Sequence, residues 1–292
     1  MLTSASTSPA NRRDSVSAVA DAAEHSLCAS YQNWSGFVLR VPAATESVAF
    51  ALDPSPDVAL PNEPLVIAIT HGHPEHVRGT LVHLKRSERA AVTVLASKYV
   101  CRYLQRRSAN AQDRFMPVAA GEHVEVHGWR VRVFAWDHMA LLPPSLFGAL
   151  AHLAKLFRHP LRLARIARQS LGGPRHSPML GFHLTAPESG TTLVYYGEGL
   201  HRRTTHAELQ RALGEPPAQV LLAGVEPEDE EELPALIASS GCHRVVLFEP
   251  HKGWREQFHL PQVDMPRLLE QLREAGVHAE APPPATDLTL CG

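Results

Sequence analysis

Residues 64–79 read PLVIAITHGHPEHVRG, and this stretch decides the fold. Pro64 to Thr70 is a continuous apolar run rich in branched side chains, the pattern of a strand buried on both faces. It ends abruptly in His71, His73, Glu75 and His76. Beyond them Val77, Leu81 and Leu84 recur at helical spacing, so a helix begins at or just after the motif. Four potential metal ligands therefore occupy one strand-to-helix turn. Imidazole mixed with carboxylate suits zinc, manganese or iron, whereas calcium and magnesium favour all-oxygen sites.

Working outward, other strands end the same way. Trp34 to Pro54 reads as two strands around a turn, with Phe37 to Leu39 and Val48 to Leu52 as apolar segments. Ala91 to Ala96 is a short strand, followed by a helix over Ser97 to Arg106. Glu122 to Trp136 alternates as a hairpin and delivers His138 just past its second arm. Met179 to Thr185 and Thr191 to Tyr196 are strands, and the latter runs into Gly197-Glu198-Gly199. Thr205 to Leu213 is a helix, Gln219 to Ala223 a strand, and Glu226 to Glu232 an acidic run read as a solvated helix start. Arg244 to Phe248 is a strand that delivers His251. A helix over Pro261 to Ala275, a short strand near Val277 and a Pro-rich tail close the chain. Strand-end groups at 71–76, 138, 198 and 251 can converge, because open α/β sheets gather their sites at strand carboxyl ends.

Composition bounds the rest. The 292 residues are 44% hydrophobic and 20% charged, within the range of ordinary soluble globular proteins. A net charge of −2 argues against a general nucleic-acid binder. Cys28, Cys101, Cys242 and Cys291 form no CxxC pair, which points to reduced thiols, a cytoplasmic setting and a metal held by His and carboxylate. Residues 1–30 are Ser- and Ala-rich without an apolar h-region and read as a disordered tail before a domain over 31–292. The longest uncharged apolar stretch, 140–154, is broken by Pro143 and Pro144, so no transmembrane segment is expected.

The order His71-x-His73-x-Glu75-His76, His138, Gly197-Glu198, His251 resembles the metallo-β-lactamase fold superfamily, from Trp34 to the C-terminus. Its layout looks most like the branch of L-ascorbate-6-phosphate lactonase and N-acyl-phosphatidylethanolamine phospholipase D. The resemblance implies an α/β, αββα sandwich and two divalent metal ions, zinc first, with manganese or iron as alternatives. It places one metal on His71, His73 and His138 and a second on Glu75, His76 and His251, with Glu198 bridging. Glu stands at 75 and 198 where the superfamily usually has Asp, which lengthens both carboxylates by a methylene.

The chemistry expected is hydrolysis of an ester, lactone, amide or phosphodiester by a metal-bound hydroxide, with Glu75 orienting the water or taking its proton. Oxygen activation by iron, nucleic-acid cleavage and a non-catalytic metal-binding role are the alternatives. Residues 141–175 form a helical, lid-like insertion with six basic residues and no acid. Leu146, Leu150, Leu153 and Phe157 keep helical spacing there, and Pro160 divides the insertion in two. Arg158 and Arg162, with Lys252 and Trp254 beyond His251, are the substrate-binding candidates. They suit a small-molecule or amphipathic anionic substrate, with membrane-surface contact through 141–175. The competing expectation is a helix pair that packs on its own domain and turns its charges to water.

Overall fold

The computed structural model describes residues 26–42, 48–86, 88–138, 145–164, 174, 177–227 and 230–290. The chain begins with β1 (Leu27–Asn33), β2 (Gly36–Arg40), β3 (Ala49–Leu52) and β4 (Leu65–Ala68). It continues through α1 (Pro74–Leu84), β5 (Val92–Ala96), α2 (Lys98–Gln105) and β6 (Arg114–Pro117). After the hairpin of β7 (His123–Val126) and β8 (Trp129–Ala135) come α3 (Leu146–Phe157), β9 (Leu180–Thr185) and β10 (Thr192–Gly197). Next are α4 (His206–Leu213), β11 (Val220–Gly224), α5 (Leu233–Ser239) and β12 (Arg244–Phe248). The chain ends with α6 (Lys252–Gln257), α7 (Met265–Glu274), β13 (His278–Glu280) and β14 (Thr286–Leu290).

These strands form two seven-stranded mixed sheets, ordered β14-β1-β2-β3-β4-β5-β6 and β13-β12-β11-β10-β9-β8-β7. Alternation along each strand explains the layering. In β4, Val66 and Ala68 face the core between the sheets, while Leu65 and Ile67 meet Val77, Leu84, Val100 and Leu104 of α1 and α2. In β12, Val246 and Phe248 face inward, and Val245 and Leu247 pack with Leu209, Ile237, Leu268 and Leu272 of the helices outside the second sheet. Burial on both faces is why these strands read as unbroken apolar runs. The result is the expected αββα sandwich. Among the described residues no helix is long and apolar enough to cross a membrane.

Several expectations need correcting. Residues 27–30, expected within the tail, belong to the strand Leu27–Asn33, which pairs with both β2 and β14; the rest of that expectation, residues 1–25, lies outside the described residues. The Pro-rich tail contains β14, antiparallel to β1 with Leu27 opposite Leu290. The acidic run is not a solvated helix start. Glu226 is 4% exposed, and the helix begins only at Leu233. Within 141–175 the described residues hold α3 and a second helical stretch at 160–164 that starts at Pro160 after a break at Arg158 and His159, while 141–144, 165–173, 175 and 176 lie outside the described residues.

One buried ion pair fastens the first sheet. Arg89 Nη1 donates to Asp113 Oδ1 at 2.7 Å, and Arg89 Nη2 and the Ser108 hydroxyl donate to Asp113 Oδ2. The Val92 N–H adds a fourth bond at 3.2 Å. Burial alone would raise the Asp113 carboxyl, but these donors and the Arg89 charge hold it below the usual carboxylate range. A depressed folded pKa contributes stability that is present above the unfolded value and lost as pH falls through the folded one. Asp113→Ala should therefore cost about 3 kcal/mol near neutrality, by stranding the guanidinium. Denaturant titrations should show the gap to the wild type narrowing as the pH falls below about 4.

Candidate metal centre

All the strand-end groups come from one edge of the sandwich. His71, His73 and His76 follow β4 in the first sheet; His138, Glu198 and His251 follow β8, β10 and β12 in the second. The φ of +60° at Gly197 is one that L side chains rarely adopt, and it turns the chain so that Glu198 points inward from β10. Glu198 is fully buried.

Two groups of three donors lie close enough to hold an ion, His71/His73/His138 and His71/His76/Glu198, with the ligand atoms of each within 4.8 Å of one another. His71 belongs to both. His71 Nε2 and His73 Nδ1 are 2.9 Å apart. Glu198 Oε2 is buried without a hydrogen-bond partner, 3.6 Å from His138 Nε2 and 3.9 Å from His251 Nε2. Both His76 nitrogens are buried as well, and neither makes a hydrogen bond of good geometry, although carboxylates stand at 2.9 and 3.2 Å. Buried polar atoms are rarely left so. Converging imidazoles and a carboxylate with unfilled acceptor capacity fit a divalent cation.

Asp53, one residue beyond β3, organises the centre from behind. Its Oδ1 accepts the Thr70 N–H at 2.8 Å; its Oδ2 accepts the Thr70 hydroxyl at 2.7 Å and the Tyr195 hydroxyl at 3.0 Å. Because Thr70 Oγ1 gives its proton to Asp53, it can only accept from His71 Nδ1, 2.9 Å away. That fixes the His71 tautomer with the Nε2 lone pair facing the site. Asp53 Oδ2 also stands 2.9 Å from His76 Nδ1, leaving His76 Nε2 directed at Glu198 Oε1, 3.2 Å away. The close approach of α1 needs Gly79, where a Cβ would come within 1.8 Å of the Pro54 carbonyl oxygen.

The electrostatics differ from ring to ring. Burial, reinforced by the neighbouring imidazoles, pushes His71 well below the ordinary histidine range, so it is neutral at pH 7 and a proton does not compete for its lone pair. Burial acts the same way on His76, but the Asp53 and Glu198 carboxylates overcome it and hold this ring well above that range. Burial opposes ionisation of Glu198, yet His76 and His251 keep its carboxyl well below the usual value.

Three further supports were not apparent in the sequence. Ser35 Oγ donates to Glu198 Oε1 at 3.0 Å. His201 Nε2 bonds the Asp137 carbonyl at 2.9 Å and so anchors the backbone beside His138. Glu226 Oε1 is 2.5 Å from His251 Nδ1, and its other oxygen pairs with Arg255. A carboxylate just past the end of β11 was the available signal, hidden within an acidic run.

Two expected residues stand apart. Glu75 is outside both donor groups, 3.7 Å from His73 Nδ1 and partly exposed at the rim. Successive helical residues differ by about 100° around the axis, so the turn that directs His76 inward directs Glu75 away. His251 reaches the site only through Glu198. Of the substrate-binding candidates, Lys252 pairs with Glu249 at the surface, while Arg158 is exposed at the end of α3. Arg162 donates to the Gln257 carbonyl at 2.6 Å. Trp254 stands edge-on to His251, ring centroids 6.2 Å apart, and packs beneath α3 with Leu153, Leu156 and Phe258.

No protein-family model matches the chain. No curated protein matches it either. Solved structures do. Igni18, a novel metallo hydrolase from the hyperthermophilic archaeon Ignicoccus hospitalis, is 14% identical with a TM-score of 0.59, over 90% of this chain and 98% of that one. YhfI of Bacillus subtilis, a metallo-β-lactamase fold protein, is 8% identical with a TM-score of 0.55, over 90% and 98%. CmlA, a diiron β-hydroxylase from Streptomyces venezuelae, is 13% identical with a TM-score of 0.55, over 91% of this chain and 54% of that one. Likeness at such identities is a likeness of architecture, and the architecture of this chain is the metallo-β-lactamase fold.

Proposed function

We propose that the protein is a metal-dependent hydrolase that cleaves an ester, lactone, amide or phosphodiester bond. The observation that carries this reading is the convergence, from both sheets, of four imidazoles and the buried Glu198 carboxylate on one point at the sandwich edge. His71, His73 and His138 would hold one ion; His76 and Glu198 would hold a second, with Glu75 and His251 flanking it. Zinc suits this donor set best, and manganese or iron are the alternatives. A divalent ion would supply Lewis acidity there, lowering the pKa of bound water towards neutrality and polarising the substrate oxygen. Asp53, Thr70 and Glu226 keep the rings in their working tautomers. Glu75, partly exposed at the rim, would take the proton from the attacking water.

A second reading has one observation behind it. Glu198 brings carboxylate oxygen to the second donor group, which suits harder metals, and the fold is shared with a diiron hydroxylase. Elemental analysis of the purified protein, with hydrolysis and oxygen-uptake assays on the same sample, separates the two. Hydrolysis should fall at least about a hundredfold when a chelator strips the metal and return with zinc or manganese. Bound iron with substrate-dependent oxygen uptake, and no hydrolysis, would replace the hydrolytic reading.

A further inference from the structure

The helical excursion after His138 carries side chains for which the metal centre has no use. Its inner face is accounted for: Leu153, Leu156 and Leu163 pack on Trp254, Phe258 and Leu260, which tie it to α6 and so to the segment starting at His251. Its outer face is not. Leu146, Phe147, Leu150, Phe157 and Leu161 are 73%, 86%, 55%, 67% and 86% exposed. Phe147, Leu150 and Phe157 recur at three- and seven-residue steps, so they form one stripe along α3, and Leu161 stands exposed on the stretch at 160–164 just beyond the break. Large apolar side chains scattered singly on a surface mean little, but a contiguous stripe of this kind marks an interaction surface.

Charge identifies the partner. Arg158 lies exposed at the stripe, with Lys155 and Arg162 beside it. Lys155 and Arg162 donate to the main-chain carbonyls of His259 and Gln257, so their hydrogen bonds leave the positive charge uncompensated. The segment 141–175 has no acidic residue at all, in a chain whose net charge is −2. A second copy docking face to face would set this basic cluster against itself, since a two-fold interface pairs a patch with its own image. Residues 1–25 offer only Met1, Leu2, Val16 and Val19 as large apolar side chains, too few to cover the stripe. A short helix with aromatic and leucine side chains on one face, cations alongside and no carboxylates has the chemistry of an interfacial helix. At 12 residues, α3 is too short to span a bilayer and long enough to lie on one.

We infer that the face formed by α3 and residues 160–164 seats the protein on an anionic lipid surface. Phe147, Leu150, Phe157 and Leu161 enter the acyl boundary while Lys155, Arg158 and Arg162 meet the headgroup phosphates.

The test is flotation of the full chain with vesicles of phosphatidylcholine and phosphatidylglycerol in equal parts, against vesicles of phosphatidylcholine alone. The protein should float with the anionic vesicles, less so with the neutral ones, and should release as salt is raised. Phe147→Ser with Leu150→Ser should lower the floated fraction at least about tenfold, with an unchanged melting temperature. Phe157→Ser with Leu161→Ser should do the same, which guards against a fold defect in the first pair. Absence from both vesicle types, or equal flotation of wild type and variants, would overturn the inference. So would a dimer in solution that these variants dissociate without any vesicle binding, because a second copy would then cover the face. The readout needs neither metal nor turnover: metal-stripped protein should float equally well, so failure here and failure of the hydrolase reading are separable.

Discussion

His71→Ala is expected to purify with less than about a tenth of the wild-type metal content and to lose at least about a thousandfold in kcat/KM. The size follows from its place in the donor set. His71 is the only residue shared by both three-donor groups, so removing its imidazole leaves His73 with His138 on one side and His76 with Glu198 on the other. Two donors rarely hold a labile divalent ion against water and buffer. The fold should survive, because the ring lies at the end of β4 and not in the layer between the sheets; thermal melting in the presence of chelator should place the two proteins within a few degrees. Metal content by elemental analysis and initial rates on one substrate check both halves. Full metal content together with undiminished turnover would remove the basis for the centre described above.

Asp53→Asn should lower metal affinity by about 10- to 100-fold without removing a single ligand. Asp53 is acceptor only: it takes the Thr70 N–H, the Thr70 hydroxyl and the Tyr195 hydroxyl, and it faces His76 Nδ1. An amide in its place turns one acceptor into a donor. Thr70 Oγ1 then loses the partner that made it accept from His71, and His76 loses the charge that directs its other nitrogen towards Glu198. Stability should fall by about 3 kcal/mol, the cost of uncovering a buried charged cluster. Tyr195→Phe is the control. It removes one hydroxyl from the same carboxylate, should cost about 1 kcal/mol, and should leave metal affinity unchanged. Competition with a metallochromic indicator measures the affinities; an Asp53→Asn protein that is less stable yet binds metal as tightly would mean that Asp53 supports only the fold.

How much of this was legible in the sequence depended on where the information sits. The strands that carry His71, Glu198 and His251 are apolar on both faces, so their ends show as sharp changes from branched aliphatics to His or acid. Asp53 also ends such a strand, but Pro54 follows it, and Asp-Pro reads as an ordinary turn. The strand β1 gives no such contrast. LCASYQN mixes buried and half-buried positions, and its outer neighbour lies at the far end of the chain. Glu226 was masked by the acids after it. Glu75 shows a different limit: the motif fixes its place in sequence, whereas helix rotation decides that its side chain lies at the rim, outside both donor groups. The periodicity of Leu146, Leu150, Leu153 and Phe157 showed a helix, but it could not tell that Leu153 packs while the other three stay bare.

The pairing of β1 with β14 has a consequence for synthesis. A ribosome delivers β1 first among the described strands and its outer partner last, so the first sheet stays unfinished until residues 286–290 emerge. Through most of translation β1 offers an open row of backbone donors and acceptors, the kind of edge that recruits another chain. A nascent chain stalled within α7 would carry most of its metal-binding side chains and still lack the strand that seals it, making that stage the one at which a chaperone has most to protect.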